Sequence, residues 1–328
     1  MHIADDFKKL PHDNKYKSVA LGNFDGVHAG HRELILAMHE AAKKNNGYSI
    51  VLSFVPHPLQ ILTGKSPNML TAQSEKELLV AALEVDYFVR YPFTFEIADL
   101  SPETFIKEIL IDGLGANHVF VGFNFSFGKK ALGTPEVLQE ICSSYGCEVT
   151  IMPAVRSKHG IVSSSLIRKE LYEGDVLTAN YLLGYSYYMK GIVVGGKRLG
   201  RQLGYPTANV AFRKEAQLPA YGVYAAILET ENGDFLQAIV NVGIRPTVDD
   251  DLKPSLEAYC FDFDGNLYDK WVTVHFVERV RFEKKFASKD DLVEQIQKDC
   301  LVARDIMSRK DLPKLFSQIT CANQIDVI

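Results

Sequence analysis

Hydrophobic and polar positions along the chain follow two rhythms, and the change between them falls near residue 187. Before it, apolar runs of strand length at 18–21, 49–54, 87–90, 118–122 and 148–152 alternate with segments whose apolar residues recur every three or four positions. The first such segment, 32–42, carries Leu34, Ile35, Met38, Ala41 and Ala42 on one helical face; others span 75–83, 102–111, 135–145 and 171–183. Strands separated by helix-length connections predict a parallel sheet, doubly wound with helices on both faces. Beyond residue 187, runs at 191–194, 223–229, 237–242, 256–263 and 272–276 are punctuated by Gly, Asn and Asp, which predicts an antiparallel sheet or small barrel. Ser288-Lys289-Asp290-Asp291 has the form of a capping box, and Leu292, Ile296, Cys300 and Ala303 follow as an apolar stripe, so a terminal helix is expected to pack on the core. The fold class is therefore α/β plus β in two domains, 1–185 and 186–328, divided where the 171–183 helix meets Gly184.

Composition narrows the function classes. A chain of 328 residues, 47% hydrophobic and 23% charged, can bury two separate cores. Its formal net charge of -5 supplies no global basic field, so no nucleic-acid partner is expected. Neither a signal peptide nor an uninterrupted apolar span of about 18 residues is visible, which predicts a cytoplasmic protein away from the membrane. Cys142, Cys147, Cys260, Cys300 and Cys321 contain no C-x-x-C pair and read as reduced, structural thiols. A homo-oligomer remains open.

The candidate chemistry concentrates in two strings. Gly22 to His31 reads G-N-F-D-G-V-H-A-G-H and places His28 and His31 one turn apart where a strand hands over to a helix. A helix N-terminus offers free N–H groups and partial positive charge to an anion. Gly22, Gly26 and Gly30 are expected to let a phosphate approach the main chain, while two imidazoles direct hydrogen bonds to it. A zinc pair is the competing reading, but Ala29 and Gly30 stand where H-E-x-x-H needs its Glu.

The second string runs from Gly195 through Lys197, Arg198, Gly200, Arg201 and Gly204 to Pro206-Thr207-Ala208-Asn209. It lacks the Walker spacing, yet a glycine-rich basic turn can fold over phosphates with its N–H groups inward. Thr207 and Asn209, two apart on an extended segment, point to one side and can hold a hard cation; a turn capped by polar side chains is the equal alternative. Asp262-Phe263-Asp264-Gly265-Asn266 reads as a hairpin turn rather than a metal site.

The first string resembles the signature of nucleotidyltransferases whose H-x-G-H motif binds ATP, and at full length it is similar to their FAD synthetase branch. Pro56-His57-Pro58, the stretch Val121 to Gly128, and Ser163-Ser164-Ser165-Leu166-Ile167-Arg168 follow in that family's order. P-T-A-N after a glycine-rich loop resembles riboflavin kinase, as do Pro219 to Tyr224, Asn241 to Thr247 and Leu256-Glu257. Nearly the whole chain is thus similar to the bifunctional prokaryotic riboflavin kinase/FAD synthetases, which are also FMN adenylyltransferases.

That resemblance implies a nucleotidyltransferase domain followed by a riboflavin kinase barrel, with riboflavin, FMN and ATP as substrates and Mg²⁺ accompanying ATP. It implies that His28 and His31 serve the transferred phosphates, that Gly22, Asn23, Phe24, Gly30 and Asn124 line the nucleotide and flavin phosphate site, and that Ser164 and Arg168 bind the ATP tail. In the second domain it assigns Gly195, Lys197, Gly200 and Gly204 to the phosphate loop, Thr207 and Asn209 to the metal, and Glu257 to the general base. Departures from the family pattern at Phe123, Asn124 and Ser126 keep two alternatives open: an enzyme with one degenerate domain, and a non-enzymatic flavin-binding regulator.

Overall fold

The apolar runs of the first half become six parallel strands: β1 (His2–Ala4), β2 (Lys17–Leu21), β3 (Tyr48–Val55), β4 (Tyr87–Pro92), β5 (His118–Gly122) and β6 (Glu148–Met152). In this computed structural model, which describes residues 1–196, 200, 204–246, 252–309 and 326–327, they lie in the order β1-β4-β3-β2-β5-β6. Asp326–Val327 adds a parallel partner beside β1. Between the strands come α1 (Ala29–Lys44), α2 (Pro58–Thr63), α3 (Gln73–Ala81), α4 (Phe95–Ala98), α5 (Pro102–Phe105) and α6 (Pro135–Ser144).

Side chains alternate across a strand, so each strand feeds two layers. Val19, Leu21, Ile50, Leu52, Val119 and Val121 pack in one core with Phe105, Ile106, Ile109 and Leu138. The alternate positions Ala20, Val51, Phe88 and Phe120 are also buried, and α1 covers β2, β3 and β5 with its buried Leu34, Ile35 and Met38. The sheet is doubly wound, as the periodicity predicts. From β2 the chain builds β3 and β4 to one side and β5 and β6 to the other, so the topological switch point lies between the carboxyl ends of β2 and β5.

The expected helix over 102–111 divides: α5 ends at Phe105 and Ile106–Gly113 continues as wider π turns. The expected helix 171–183 is two helices, α7 (Ser164–Glu173) and α8 (Val176–Leu183). Gly174 adopts φ 79°, which ends α7, and the Asp175 carboxylate accepts from Thr178 N at 3.0 Å to start α8. A short hairpin of β7 (Arg156–Ser157) and β8 (Gly160–Ile161) precedes them.

The second half forms β9 (Tyr188–Val194), β10 (Ala208–Phe212), β11 (Gly222–Thr230), β12 (Phe235–Pro246), β13 (Leu252–Cys260) and β14 (Trp271–Phe282), closed as an antiparallel barrel in the order β10-β13-β12-β11-β14-β9. Val240, Val242, Leu256 and Ala258 fill its interior. On the outer face Val223, Ala225, Ile227 and Val277 pack against Ala303 and Met307 of the terminal helix α9 (Lys289–Ser308). The expected capping box is present: Ser288 Oγ accepts from Asp291 N at 3.1 Å and Asp291 Oδ2 accepts from Ser288 N at 3.2 Å. The buried positions of α9 are Asp299, Ala303 and Met307, and Asp299 receives Arg281 Nε at 2.8 Å.

By spatial contact the chain divides between Ser164 and Ser165, about twenty residues before the change of sequence rhythm. The helices α7 and α8 belong with the barrel because they bond to it. Asn180 Nδ2 donates to Phe276 O at 2.9 Å, and Arg279 Nη1 donates to Glu173 O at 2.6 Å. Among the described residues no helix is long and apolar enough to cross a membrane. Cys142, Cys147 and Cys260 are buried free thiols, while Cys321 lies outside the described residues.

Candidate active sites

The 22–31 string occupies the switch point: Gly22 follows the last residue of β2, and Phe123 and Asn124 follow the last residue of β5. His28 is the N-cap of α1, with φ -64° and ψ 173°. Its Nδ1 accepts the His31 backbone N–H at 3.3 Å, so that ring nitrogen carries no proton and the Nε2–H faces away as a donor. The His31 ring stacks on it with centroids 3.6 Å apart, and Phe24 closes edge-on against His31 at 5.3 Å. Burial, helped by neighbouring His28 and Lys76, holds the His31 imidazole well below the ordinary histidine range. The pair is therefore a pair of neutral hydrogen-bonding rings.

Backbone strain gathers here. Gly26 takes φ 80°, as its missing Cβ allows, but Phe24 at φ 49° and Val27 at φ 35° also sit in the left-handed region, which a β-branched residue rarely enters. Gly22 and Gly30 keep ordinary φ, and a Cβ on Gly22 would press the Phe24 ring at 3.0 Å. Two buried polar atoms in this region, Asn23 Oδ1 and His31 Nδ1, lack a hydrogen-bond partner, the condition expected where a polar ligand completes the site.

Asp25 clamps the loop. Its carboxylate, 2% exposed, accepts from Leu70 N and Thr71 N, each at 3.1 Å, and from Thr71 Oγ1 at 3.2 Å. Gly26 N donates back to Thr71 Oγ1 at 3.1 Å, and Ser164 Oγ donates to Asp25 O at 2.9 Å. Ser164 is thus brought onto the motif, while Arg168 stands one turn further along α7. Asn124 is exposed beyond β5, with Phe123 beside it 43% exposed. His57 caps α2, its Nδ1 accepting from Leu59 N at 3.2 Å.

Sequence reading missed Asp25, Thr71, Ser53 and Lys76. The last is 3% exposed on α3, and burial pushes its ammonium down to about 8. A signal existed: Lys76 precedes Leu79 and Val80 by three and four residues, the spacing of one helical face.

The barrel site is built by register. Residues directly opposite in antiparallel strands share a face. Asn209 of β10 pairs with Glu257 of β13, and Glu257 pairs in turn with Asn241 of β12, so three polar side chains form a row across three strands. Asn209 is buried and Glu257 half-buried. Gly196 lies against this row, since a Cβ there would meet Asn209 Nδ2 at 2.0 Å, and one on Gly200 would meet Tyr205 O at 2.3 Å and Thr207 Oγ1 at 3.2 Å. Gly195 and Gly204 have open space where a Cβ would stand. Lys197, Arg198 and Arg201, the expected cationic residues, lie outside the described residues, as does Thr247.

The Asp262–Asn266 segment is not a hairpin turn. β13 and β14 are not neighbours in the barrel, so 261–270 is a crossing loop. Its Phe263, Asn266 and Tyr268 line a pocket with Thr207, Pro206 and Ala258. The hairpin signature identified a turn but not its neighbours, which closure of the barrel decides. Among the described residues no three His, Cys, Asp or Glu side chains converge as a metal cage.

Comparison with known proteins agrees with this division. The family model for FAD synthetase matches residues 10–166 and that for riboflavin kinase matches residues 183–307. A bifunctional riboflavin kinase/FMN adenylyltransferase of Bacillus subtilis is 35% identical over 306 residues, covering 91% of this chain and 95% of the relative. The Escherichia coli protein of the same name is 35% identical over 288 residues, covering 88% and 91%. A Streptococcus pneumoniae crystal structure titled as a macrolide-efflux protein superposes with TM-score 0.83 at 30% identity, covering 92% of this chain and 98% of that one. With both family models matched in order and relatives aligned over nearly their whole length, the chain belongs to the bifunctional riboflavin kinase/FMN adenylyltransferase family.

Proposed function

We propose that the barrel domain phosphorylates riboflavin to FMN and that the sheet domain joins FMN to the AMP portion of a second ATP, releasing pyrophosphate. The observation that carries this reading is the presence of two separate polar constellations, one within each family match: the stacked His28 and His31 at the head of α1, and the Asn209, Glu257 and Asn241 row.

In the kinase step the terminal ribityl hydroxyl attacks the γ-phosphorus of ATP, its proton passes to the Glu257 carboxylate, and ADP leaves. Glu257 suits this because the row aligns it beside Asn209, where the phosphates would lie. Thr207 and Asn209 are hard oxygen donors, one on the loop and one buried on β10, and they fit Mg²⁺ shared with ATP. When bound, Mg²⁺ neutralises phosphate charge. The Gly195, Lys197, Gly200 and Gly204 loop would cover the phosphates, and the pocket beside Thr207 offers apolar walls to the nucleotide base.

In the adenylyl step an FMN phosphate oxygen attacks the α-phosphorus. FMN phosphate is already an anion, so no general base is needed; the site must align two anions and stabilise the departing pyrophosphate. The His28 Nε2–H, the His31 ring and the free N–H groups of α1 are the donors for that charge. Gly22, Phe24 and Gly30 shape the space, Asn23 and Asn124 would hold the flavin phosphate or nucleotide, and Ser164 with Arg168 would hold the ATP tail.

A time course of the full chain with riboflavin and MgATP, separated by chromatography, tests the reading. FMN followed by FAD is expected, and FAD also from added FMN. Accumulation of FMN without FAD from either start would restrict the chain to the kinase, and no turnover would leave a flavin-binding protein.

A further inference from the structure

A buried ammonium stands beneath the sheet-domain site. Lys76 Nζ lies 3.5 Å from Ser53 Oγ on β3, and Ser53 Oγ donates to Asn23 O at 3.3 Å. From the other side, Asp25 ties the same loop to residues 70 and 71, the chain leading into α3, where the Glu75 carboxylate accepts from Ala72 N. The loop, β3 and the head of α3 thus form one closed circuit through Asp25, Lys76 and Ser53.

Burying an ammonium is costly, and a packing role alone is better served by an apolar side chain of the same length. The neighbouring carboxylate Glu77 is occupied: Arg90 Nε and Nη2 each donate to it at 2.7 Å. The site, by contrast, lacks full positive charge from its own two rings. His28 Nδ1 is an acceptor, His31 is held neutral by its surroundings, and a helix N-terminus supplies only about half an elementary charge. Two polyanions meeting there need more.

Resting on the adenylyltransferase reading, we propose that Lys76 is a positioning residue of the sheet-domain site, a buried ammonium that holds the 22–26 loop through Ser53 and backs the two imidazoles with the positive charge they lack. The groups that act on it are Asp25 from the loop after β2, Glu77 from α3 itself, His31 from α1 and Ser53 from β3. Burial pushes Lys76 down to about 8 while Asp25 and Glu77 pull it up. Its charge is present below that pH and is lost as pH rises through it.

The test compares the full-length wild type with Lys76→Met and Lys76→Arg. FAD formation from FMN and ATP is followed against pH, riboflavin phosphorylation by the same preparation serves as control, and the His31 ring is titrated by NMR. The expected wild-type result is adenylylation that declines through about pH 8 without a matching decline in phosphorylation. Lys76→Met is expected to lose about tenfold or more in kcat/KM for FAD formation, to keep its phosphorylation rate, and to raise the pH at which His31 titrates. Lys76→Arg, which stays charged, is expected to flatten the basic decline. Unchanged FAD formation together with an unchanged His31 titration in Lys76→Met would overturn the role of Lys76 alone. If Lys76→Met loses the cooperative melting of the sheet domain, the pH profiles of wild type and Lys76→Arg decide, and identical profiles would overturn it. A wild type that makes no FAD at any pH would overturn the adenylyltransferase reading itself, and this role with it.

Discussion

On the proposed assignment the sheet site and the barrel site receive the same kind of ligand, a nucleoside triphosphate beside a flavin, and they are built in opposite ways. In the sheet domain the candidate donors are backbone N–H groups and two rings at the head of one helix, and buried around them are Asp25, Thr71, Ser53 and Lys76. In the barrel the polar side chains stand in a row across three strands, and Gly196, lacking a Cβ, lies close against Asn209. The difference teaches where each site is vulnerable. A helix-terminus site depends on what lies beneath its loop, whereas a strand-face site depends on register and on what lies above it.

The strongest test of that separation is a double dissociation. His28→Ala is expected to lower FMN adenylylation about a hundredfold or more and to leave riboflavin phosphorylation nearly intact, and Glu257→Gln the reverse. Chromatographic assay of both products on each folded variant checks it; loss of both activities in either one would end the idea of independent sites.

Next in size is Gly196→Ala. Its new methyl would stand 2.0 Å from Asn209 Nδ2, so either the Asn209 amide or the loop must move. A fall of about tenfold in phosphorylation is expected, with adenylylation unchanged, and steady-state kinetics of the two reactions would show it. An undisturbed kinase would mean that the loop does not close on Asn209 during turnover.

Asp25→Asn probes the support beneath the first site. It weakens charge-assisted bonds to Leu70 N and Thr71 N and removes one of the two carboxylates that favour the Lys76 charge, an expected loss of about 1.5–3 kcal/mol. Calorimetry should place this loss in the melting of the sheet domain; an equal shift in the barrel would contradict it.

The smallest expected effect concerns acid. His31 and His118 both titrate below the ordinary histidine value in the folded chain, His31 chiefly by burial with help from His28, and His118 by burial against an opposing pull from Glu148. Below about pH 6.5 the unfolded chain therefore binds more protons than the folded one, so stability falls as pH drops through that window. Melting temperatures of the sheet domain between pH 7.5 and about 5 would reveal the slope, and replacing His118 should reduce it. A flat profile would refute the buried-neutral account of both rings.

Much of this architecture was legible in the residues. Strand-length apolar runs alternating with helical periodicity declared the parallel sheet, Gly, Asn and Asp punctuation declared the barrel, and Ser288 with Asp291 declared the start of α9. The placement of His28 near the head of α1 and of Thr207 and Asn209 on one side of an extended segment follow from spacing, because periods of 3.6 and 2 are local properties of the chain, whereas the N-cap role of His28 is a finding of the structure. The helix over 171–183 failed as a single element because one αL glycine, Gly174, outweighs a continuous apolar pattern.

By itself, then, the sequence determined the fold class, the two strings in which the candidate chemistry concentrates and the helix end on which the first is mounted. Tertiary structure alone decided the partners. Asp25 meets Leu70 and Thr71 across some 45 residues, Lys76 reaches Ser53 across 23, and Asn241 joins Glu257 only through strand register. It also turned Asp262–Asn266 from a hairpin signal into the wall of a pocket, since closing the barrel sets β13 apart from β14. The physical reason is common to all of these: local periodicity dictates which face a side chain takes, but only packing of distant segments dictates what waits on that face.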